Sequence, residues 1–558
     1  MAGAILENLS TKKLSVFVAG LFVLQVVCFL LGGLIAPNPT AANTHLSSKC
    51  VDRAFNLKGW FQPWGPKQCQ KVRDFEEATR QGIQANEIVF SVQMPNRPFH
   101  MTPWFQYLIG VLALDIVYDS ERPLGVDPKV TLVIKLGSYD EDNKVTEIVS
   151  VNETRKLECT FNHEYIPEST GYQYDCDPVP LFELGSVHHS HYLLNIRLPV
   201  VDENNVQINT DIGALTDMHI VEIHQNGGFT KVWLSLKTAL FPLVLFVMMW
   251  FWRRVMILDR PPHLLERTIL ALAIVVSVLN FPLEWIAIWA PAPGMTLVSD
   301  LRQGALYAMM FSFWIIFIGE HLMDQAERNR LKVYWRQVTA ITFACFCLFI
   351  FDVCERGVQL SNPFYSIWNT ETGKKLALAF IISAGTCGVL YFFFLCFMVY
   401  KVFKNISMRR ATLSHMAKVR RLHYEGLIYR FRFFMFLTLL CAIMTVLFFI
   451  LSQVNEGQWK WGEEEAKSTL QYTSAFFTGV YGMWNIYVLA VLVLYAPSHK
   501  RTSHDNGDAN SGSNVEFELD QSVPSTSTGG ETQTAPPQTQ AGSALAESYM
   551  LLSKAAAD

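Results

Sequence analysis

The sequence predicts a multispanning α-helical membrane protein carrying a β-sandwich domain on the luminal or extracellular side. Three observations predict it: eight long apolar stretches, an uneven division of Lys and Arg between the connecting loops, and four cysteines in one long segment between the first two stretches. Hydrophobic residues make up 51% of the 558 and aromatic ones 13%. Mean hydropathy is positive, which points to a bilayer rather than to water. The formal net charge of −4 is close to neutral and argues against a nucleic-acid partner, which needs a concentrated basic surface.

Each apolar stretch is long enough to cross about 30 Å of hydrocarbon as a helix. They fall near Leu14–Ala36, Leu234–Trp252, Ile269–Ala290, Gln303–Leu322, Gln337–Cys354, Leu376–Tyr400, Phe433–Leu451 and Thr473–Ala496. The first is long for a cleaved signal peptide, and Gly32 to Pro37 offers no clean small-x-small site, so it reads as a retained anchor. Loops 253–267, 323–336 and 401–432, with Lys12 and Lys13, hold nineteen Lys and Arg; the facing loops 291–302, 355–375 and 454–472 hold six. By the positive-inside rule both termini are cytosolic. The expected organisation is a cytosolic N-terminus (1–13), a first span (14–36), a luminal domain (37–233), a bundle of seven spans (234–498) and a cytosolic tail (499–558).

Residues 37–233 alternate apolar runs, at Ile88–Val92, Phe105–Tyr118, Val130–Leu136, Tyr192–Val200 and His219–Ile223, with turn-forming clusters. Little helical periodicity interrupts them, which predicts a β-sandwich. Seven of the eleven cysteines fall in spans; Cys50, Cys69, Cys159 and Cys176 fall in this segment and read as two disulfides. Of three connectivities, Cys50–Cys69 with Cys159–Cys176 is favoured because each bond closes a short local loop. Asn152-Glu153-Thr154 is a glycosylation acceptor on the same side. His188, His189 and His191 read either as a polar strand edge or as acid sensors; no carboxylate or cysteine pattern completes a metal shell, and no cofactor is expected.

Polar groups inside the bundle need a reason to be there. Glu284, beside Pro282, and Asp352, Glu355 and Arg356 near the outer end of the fifth span serve either as interhelical ties or as a ligand lining. Aromatic positions Tyr307, Phe311, Trp314, Phe346, Tyr391, Phe476 and Tyr481, with Asn485, are the expected walls of a greasy cavity suited to an acyl chain. No zinc-protease, nucleophile-elbow or phosphate-loop pattern occurs, so the chain is not expected to be an enzyme. The helix-end signatures of rhodopsin-like receptors are missing as well, which disfavours the alternative of a signalling receptor for a small or lipid ligand. On the inner face, Tyr424-Glu425-Gly426-Leu427 fits the Tyr-x-x-apolar pattern that clathrin adaptors read as an extended peptide, with basic neighbours suited to membrane lipids. From about Arg501 the composition becomes that of a disordered tail. The cluster Glu547, Tyr549, Leu551 and Leu552 near its end reads as a second sorting signal.

Longer blocks carry a resemblance: Lys49-Cys50-Val51-Asp52, Pro63-Trp64-Gly65-Pro66, Leu193 to Pro199, Ile223 to Trp233, Phe349 to Leu360, Asn362 to Trp368, Lys418 to Leu427 and Tyr495 to Lys500. From Met1 to about Lys500 the chain resembles the Wntless family, membrane receptors that carry lipid-modified Wnt proteins to the cell surface. The resemblance implies a luminal β-sandwich on a receptor-like seven-helix bundle with one added N-terminal span. It also implies that an acyl chain enters the bundle while the luminal domain grips the Wnt protein. It further implies retrieval through a clathrin adaptor at Tyr424 to Leu427 and return by retromer. The expected itinerary runs through endoplasmic reticulum, Golgi, plasma membrane and endosomes. The tail departs from the family pattern, so no retrieval signal carries over to it.

Overall fold

The computed structural model describes residues 4–53, 59–64, 68–73, 75–140, 144–161, 172–201, 205–258, 260–322, 329–412, 418–461 and 474–498. Among the described residues, eight helices are long and apolar enough to cross a membrane: Lys12–Ile35, Gly227–Met256, Leu264–Trp289, Met295–Leu322, Trp335–Gln359, Glu371–Met408, Ile428–Phe448 and Ser474–Leu494. Numbered as spans 1 to 8, they make this an integral membrane protein.

Local chemistry sets several of their ends. Ser10 caps span 1 by accepting from Lys13 N, and Asn226 caps span 2 by accepting from Gly228 N at 2.9 Å. Span 3 is broken at Phe281, just before Pro282, and resumes as a short helix at Glu284–Trp289. The expected inner loop 401–432 is largely helical instead: one helix runs Glu371–Thr412 and the next Lys418–Trp461. The backbone there continues the helices beyond the apolar stretches, which hydropathy alone does not register. Ile5 N donates to Ala496 O at 2.9 Å and Arg430 Nη1 to Leu9 O at 2.6 Å. Both ends of the spanning region therefore lie at the same end of the bundle.

Between spans 1 and 2 the described residues form two six-stranded sheets. One joins β1 (Thr40–Leu46), β12 (Ala214–Gln225), β5 (Leu108–Val117), β9 (Gln173–Cys176) and β8 (Cys159–Phe161) in that order, with β10 (Val179–Leu184) also paired to β5. The other runs β3 (Lys71–Val72), β2 (Ser48–Val51), β4 (Ile88–Met94), β11 (His191–Arg197), β6 (Lys129–Tyr139) and β7 (Thr146–Lys156). Alternate residues of β6 (Val130, Leu132, Ile134, Leu136) meet Leu112, Leu114 and Ile116 of β5 in one core. Strands β4 and β11 are buried at every position, because a strap at Phe61 covers their outer face. Ser91 Oγ donates to Phe61 O at 2.6 Å and Phe61 N to Asn195 Oδ1 at 3.0 Å.

Cys50 is bonded to Cys69 and Cys159 to Cys176, the second pair across directly opposed positions of β8 and β9. Asn152 points outward from the edge strand β7, as a glycan acceptor must. The sandwich is joined to the bundle through the backbone and through packing. Only Asn226 separates β12 from span 2. Phe364, from the connection between spans 5 and 6, is 1% exposed within the sandwich core; its carbonyl accepts Arg155 Nη2 at 2.8 Å.

Candidate functional site

Where sandwich meets bundle there is a cavity of about 420 Å³, within the range of small-ligand sites. Its upper wall comes from Tyr107, just before β5, and from β5, β10 and β12 through Ile109, Phe182 and Ile223; its lower wall comes from spans 2 to 5, through Trp233, Leu234, Glu284, Asp300, Glu355 and Arg356. Arg356 crosses the junction: it pairs with Glu183 of the sandwich and lies 3.6 Å from Asp300 of span 4. Gln359 Nε2 adds a bond to the Tyr365 carbonyl at 3.2 Å. Burial, with Glu183 adding to it and Arg356 opposing, pushes the Tyr107 hydroxyl up to about 12. It stays a neutral donor and acceptor at physiological pH.

The floor is charged. Glu284 Oε1 accepts Lys237 Nζ and Arg302 Nη2, both at 2.6 Å. The break in span 3 leaves the Phe281 carbonyl outside the helical ladder, and Arg302 Nη1 donates to it at 2.7 Å. Beneath, Trp233 packs 4.6 Å from the Tyr481 ring. Tyr481 Oη donates to Asn280 Oδ1, and Asn280 Nδ2 to Asn485 Oδ1, both at 2.5 Å. All three of these side chains are buried, and each meets its hydrogen-bonding needs inside hydrocarbon depth by pairing with another span.

Of the expected bundle polar groups, the structure brings Glu284, Glu355 and Arg356 to the cavity and leaves Asp352 outside its lining. None of the eight residues expected to wall a lipid cavity lines this one. Tyr307, Phe311, Trp314, Tyr391 and Tyr481 fill the interior below the floor; Phe311 sits 4.9 Å from Tyr391 and 5.9 Å from Trp314. Phe476 packs on Phe448 at 5.6 Å. Phe346 stands apart and is 53% exposed: it points outward from span 5, where an aromatic ring suits lipid tails. The sequence reading missed Lys237 and Asn280. A lone cation in the apolar run Trp233 to Phe241 was the available signal for the first.

The three neighbouring histidines go to three different partners. His188 Nδ1 lies 2.9 Å from Ser186 Oγ, and His189 Nδ1 lies 3.1 Å from Asp140 Oδ2. His191 stacks on Tyr139 at 5.0 Å. Burial lowers the pKa of His188 and of His191. A tighter cluster sits on β1 and β12: His45 Nε2 is 2.6 Å from Glu222 Oε2, and His224 Nδ1 is 2.8 Å from Glu222 Oε1. Burial raises the Glu222 pKa, but bonds from His224 and His45 outweigh it and hold the carboxyl below its usual range. Glu222 and His224 continue the inward-facing positions of β12, after Met218 and Ile220.

The backbone of Tyr424 to Leu427 lies within the helix Lys418–Trp461. Glu547, Tyr549, Leu551 and Leu552 lie outside the described residues.

The family model for the Wntless GOLD domain matches residues 48–225, and that for the Wntless-like transmembrane domain matches residues 226–499. The chain belongs to the Wntless family. It is 53% identical over 524 residues to the protein wntless homolog of Gallus gallus, covering 93% of this chain and 96% of the relative. The Homo sapiens homolog is likewise 53% identical over the same shares. Protein wntless of Drosophila grimshawi is 47% identical over 517 residues, 90% of this chain and 91% of the relative. The boundary between the two Wntless domains, at residues 225 and 226, falls where β12 gives way to the cap of span 2, so the junction cavity is built from both.

Proposed function

We propose that this chain is a non-enzymatic cargo receptor in Wnt secretion that binds acylated Wnt proteins, with the acyl-bearing segment of the cargo entering the junction cavity. The position of the cavity carries this reading. A protein held against the sandwich reaches it directly, and a chain passing its floor meets Trp233 and then the aromatic interior around Tyr307, Phe311, Trp314, Tyr391, Phe476 and Tyr481. Each methylene taken from water contributes about 0.8 kcal/mol, so a dozen give roughly 10 kcal/mol before the entropy of association. Those rings are packed together here, and cargo entry parts them.

Both termini are cytosolic in this reading, and the receptor cycles among endoplasmic reticulum, Golgi, plasma membrane and endosomes. A clathrin adaptor takes Tyr424 to Leu427, retromer returns the receptor, and Glu547 to Leu552 supply a second signal. Capture of Tyr424 as an extended peptide requires the start of its helix to unwind. The test of cargo binding is co-purification with an acylated Wnt and with the same Wnt whose acylated serine is replaced by alanine. Retention of the acylated form alone supports the reading, and equal retention of both removes the acyl site.

A further inference from the structure

We propose that Glu284 is a specificity-determining residue of the junction cavity: its second carboxylate oxygen accepts a hydrogen bond from an uncharged N–H or O–H donor on the polypeptide that bears the acyl chain. The inference rests on the cargo reading above and deepens it.

The two oxygens of Glu284 are in different states. Oε1 holds Lys237 and Arg302; Oε2 is buried and takes no hydrogen bond from another residue. A buried ionised oxygen needs a donor, from water or from a ligand that displaces it, and this one belongs to a residue that lines a cavity. Arg302 Nε is also without a partner, but Arg302 is not part of the lining, so Glu284 is the member of the cluster that a ligand meets.

Charge narrows the chemistry of the donor. Lys237 and Arg302 contribute two positive charges and Glu284 one negative, leaving the cluster at +1. A third cation placed at Oε2 is repelled by the two already there. An anion is repelled by Oε2 itself. Along the wall Asp300 faces Arg356 at 3.6 Å, and Glu355 Oε1 accepts Ser366 Oγ at 3.4 Å, so each of these groups is engaged with a partner of its own. An uncharged donor is what remains.

An acyl ester offers only acceptors, so the donor has to come from the attached polypeptide, as a backbone amide or a hydroxyl. The consequence is discrimination. A phosphatidylcholine tail entering from the bilayer brings no donor, and an acidic headgroup is turned away, whereas an acylated peptide satisfies Oε2. Sites built to hydrogen-bond one ligand reject analogues that lack the group more strongly than apolar pockets reject a change in shape.

The test uses the full chain in lipid nanodiscs and two probes: a short serine peptide carrying a palmitoleoyl ester, and methyl palmitoleate. Glu284→Gln with Lys237→Gln keeps the cluster at +1 while removing the ionised acceptor. We expect this variant to bind the acyl peptide roughly tenfold more weakly and the methyl ester unchanged, since a hydrogen bond to a charged group is worth about that factor. Equal weakening of both probes, or no weakening of the peptide, overturns the inference. A ligand-side measurement on the unaltered protein covers the case of a variant that does not fold. N-methylating the peptide amides beside the acylated serine, with its remaining hydroxyls absent, should also cost roughly tenfold, and no loss overturns the inference. If the unaltered protein takes the ester as tightly as the peptide, the inference falls and the acyl reading stands. If it takes neither, both fall.

Discussion

Spans 5 and 8 are both apolar enough to cross a membrane, yet their surroundings are opposite. Fifteen of the 21 residues of span 8 are buried, whereas Glu355 is the one buried residue among the 25 of span 5. Hydropathy does not separate them, because lipid tails are as apolar as a protein interior. The contacts that small and polar residues make do. Span 8 carries Ser474, Thr478, Gly479, Gly482 and Asn485 on contacting faces: Thr478 Oγ1 donates to the Cys28 carbonyl of span 1 at 2.7 Å, and Asn485 meets Asn280 of span 3. Span 5 presents Phe343, Phe346 and Ile350 outward. In this bundle, then, the interior helix is marked by the contacts its small and polar residues make with other spans, not by its hydropathy.

The largest expected contrast sets an interior ring against a boundary ring. Trp314 is fully buried, and Trp314→Ala should cost about 3 kcal/mol, toward the low end for such truncations because the separated helices still keep the ring out of water. Phe346→Ala should change stability by less than about 0.5 kcal/mol. Thermal melting in detergent measures both, and equal costs would break the comparison.

Glycines give the next contrast. A Cβ on Gly482 would stand 2.6 Å from Cys28 Cβ and Sγ, and one on Gly32 would stand 2.3 Å from the Ser474 carbonyl oxygen. Gly482→Val should cost about 2 kcal/mol by forcing spans 1 and 8 apart. Gly385 and Gly388 of span 6 have nothing within 4 Å of such an atom, so alanine there should be neutral or stabilising by some tenths of a kcal/mol. Asn485→Leu comes third. It strands Asn280 with an unmade bond and should cost about 1–2 kcal/mol; the paired Asn280→Leu, Asn485→Leu protein should recover part of that loss.

The smallest effect lies in the sandwich. His188 and His191 have lowered pKa values through burial, so the unfolded chain binds more protons just below the ordinary histidine value of about 6.5. Their contribution to stability is present above that pH and is lost as pH falls below it. Glu222, also lowered, loses its contribution only below the ordinary carboxylate range, outside this window. Melting should therefore occur at lower temperature at about pH 5.5 than at about pH 7.2. Replacing His188 with Gln and His191 with Phe should flatten the difference.

The spans were legible because twenty apolar residues have few alternatives, and the four luminal cysteines paired as the shortest loops suggested. Strands β4, β5, β6, β11 and β12 were legible as well, since each carries a strong apolar run. Strand β7, Thr-Glu-Ile-Val-Ser-Val-Asn-Glu-Thr-Arg-Lys, was not: as an edge strand it is wet on one face and reads as a polar connection. The cavity was half legible. A charge inside a span announces itself, so Glu284 stood out, but its partnership with Lys237 and Arg302 joins three helices and leaves no local pattern. The exposure of Phe346 was hidden for the same reason that hydropathy fails to separate spans 5 and 8.

The most direct test of the central claim, that an acylated cargo enters at the junction, is photo-crosslinking with a Wnt whose acyl chain carries a diazirine near its far end. The account predicts adducts on interior residues of spans 2, 3, 4 and 8, among them Trp233, Tyr307 and Tyr481. Adducts confined to the outward face of span 5, at Phe343 and Phe346, would contradict it.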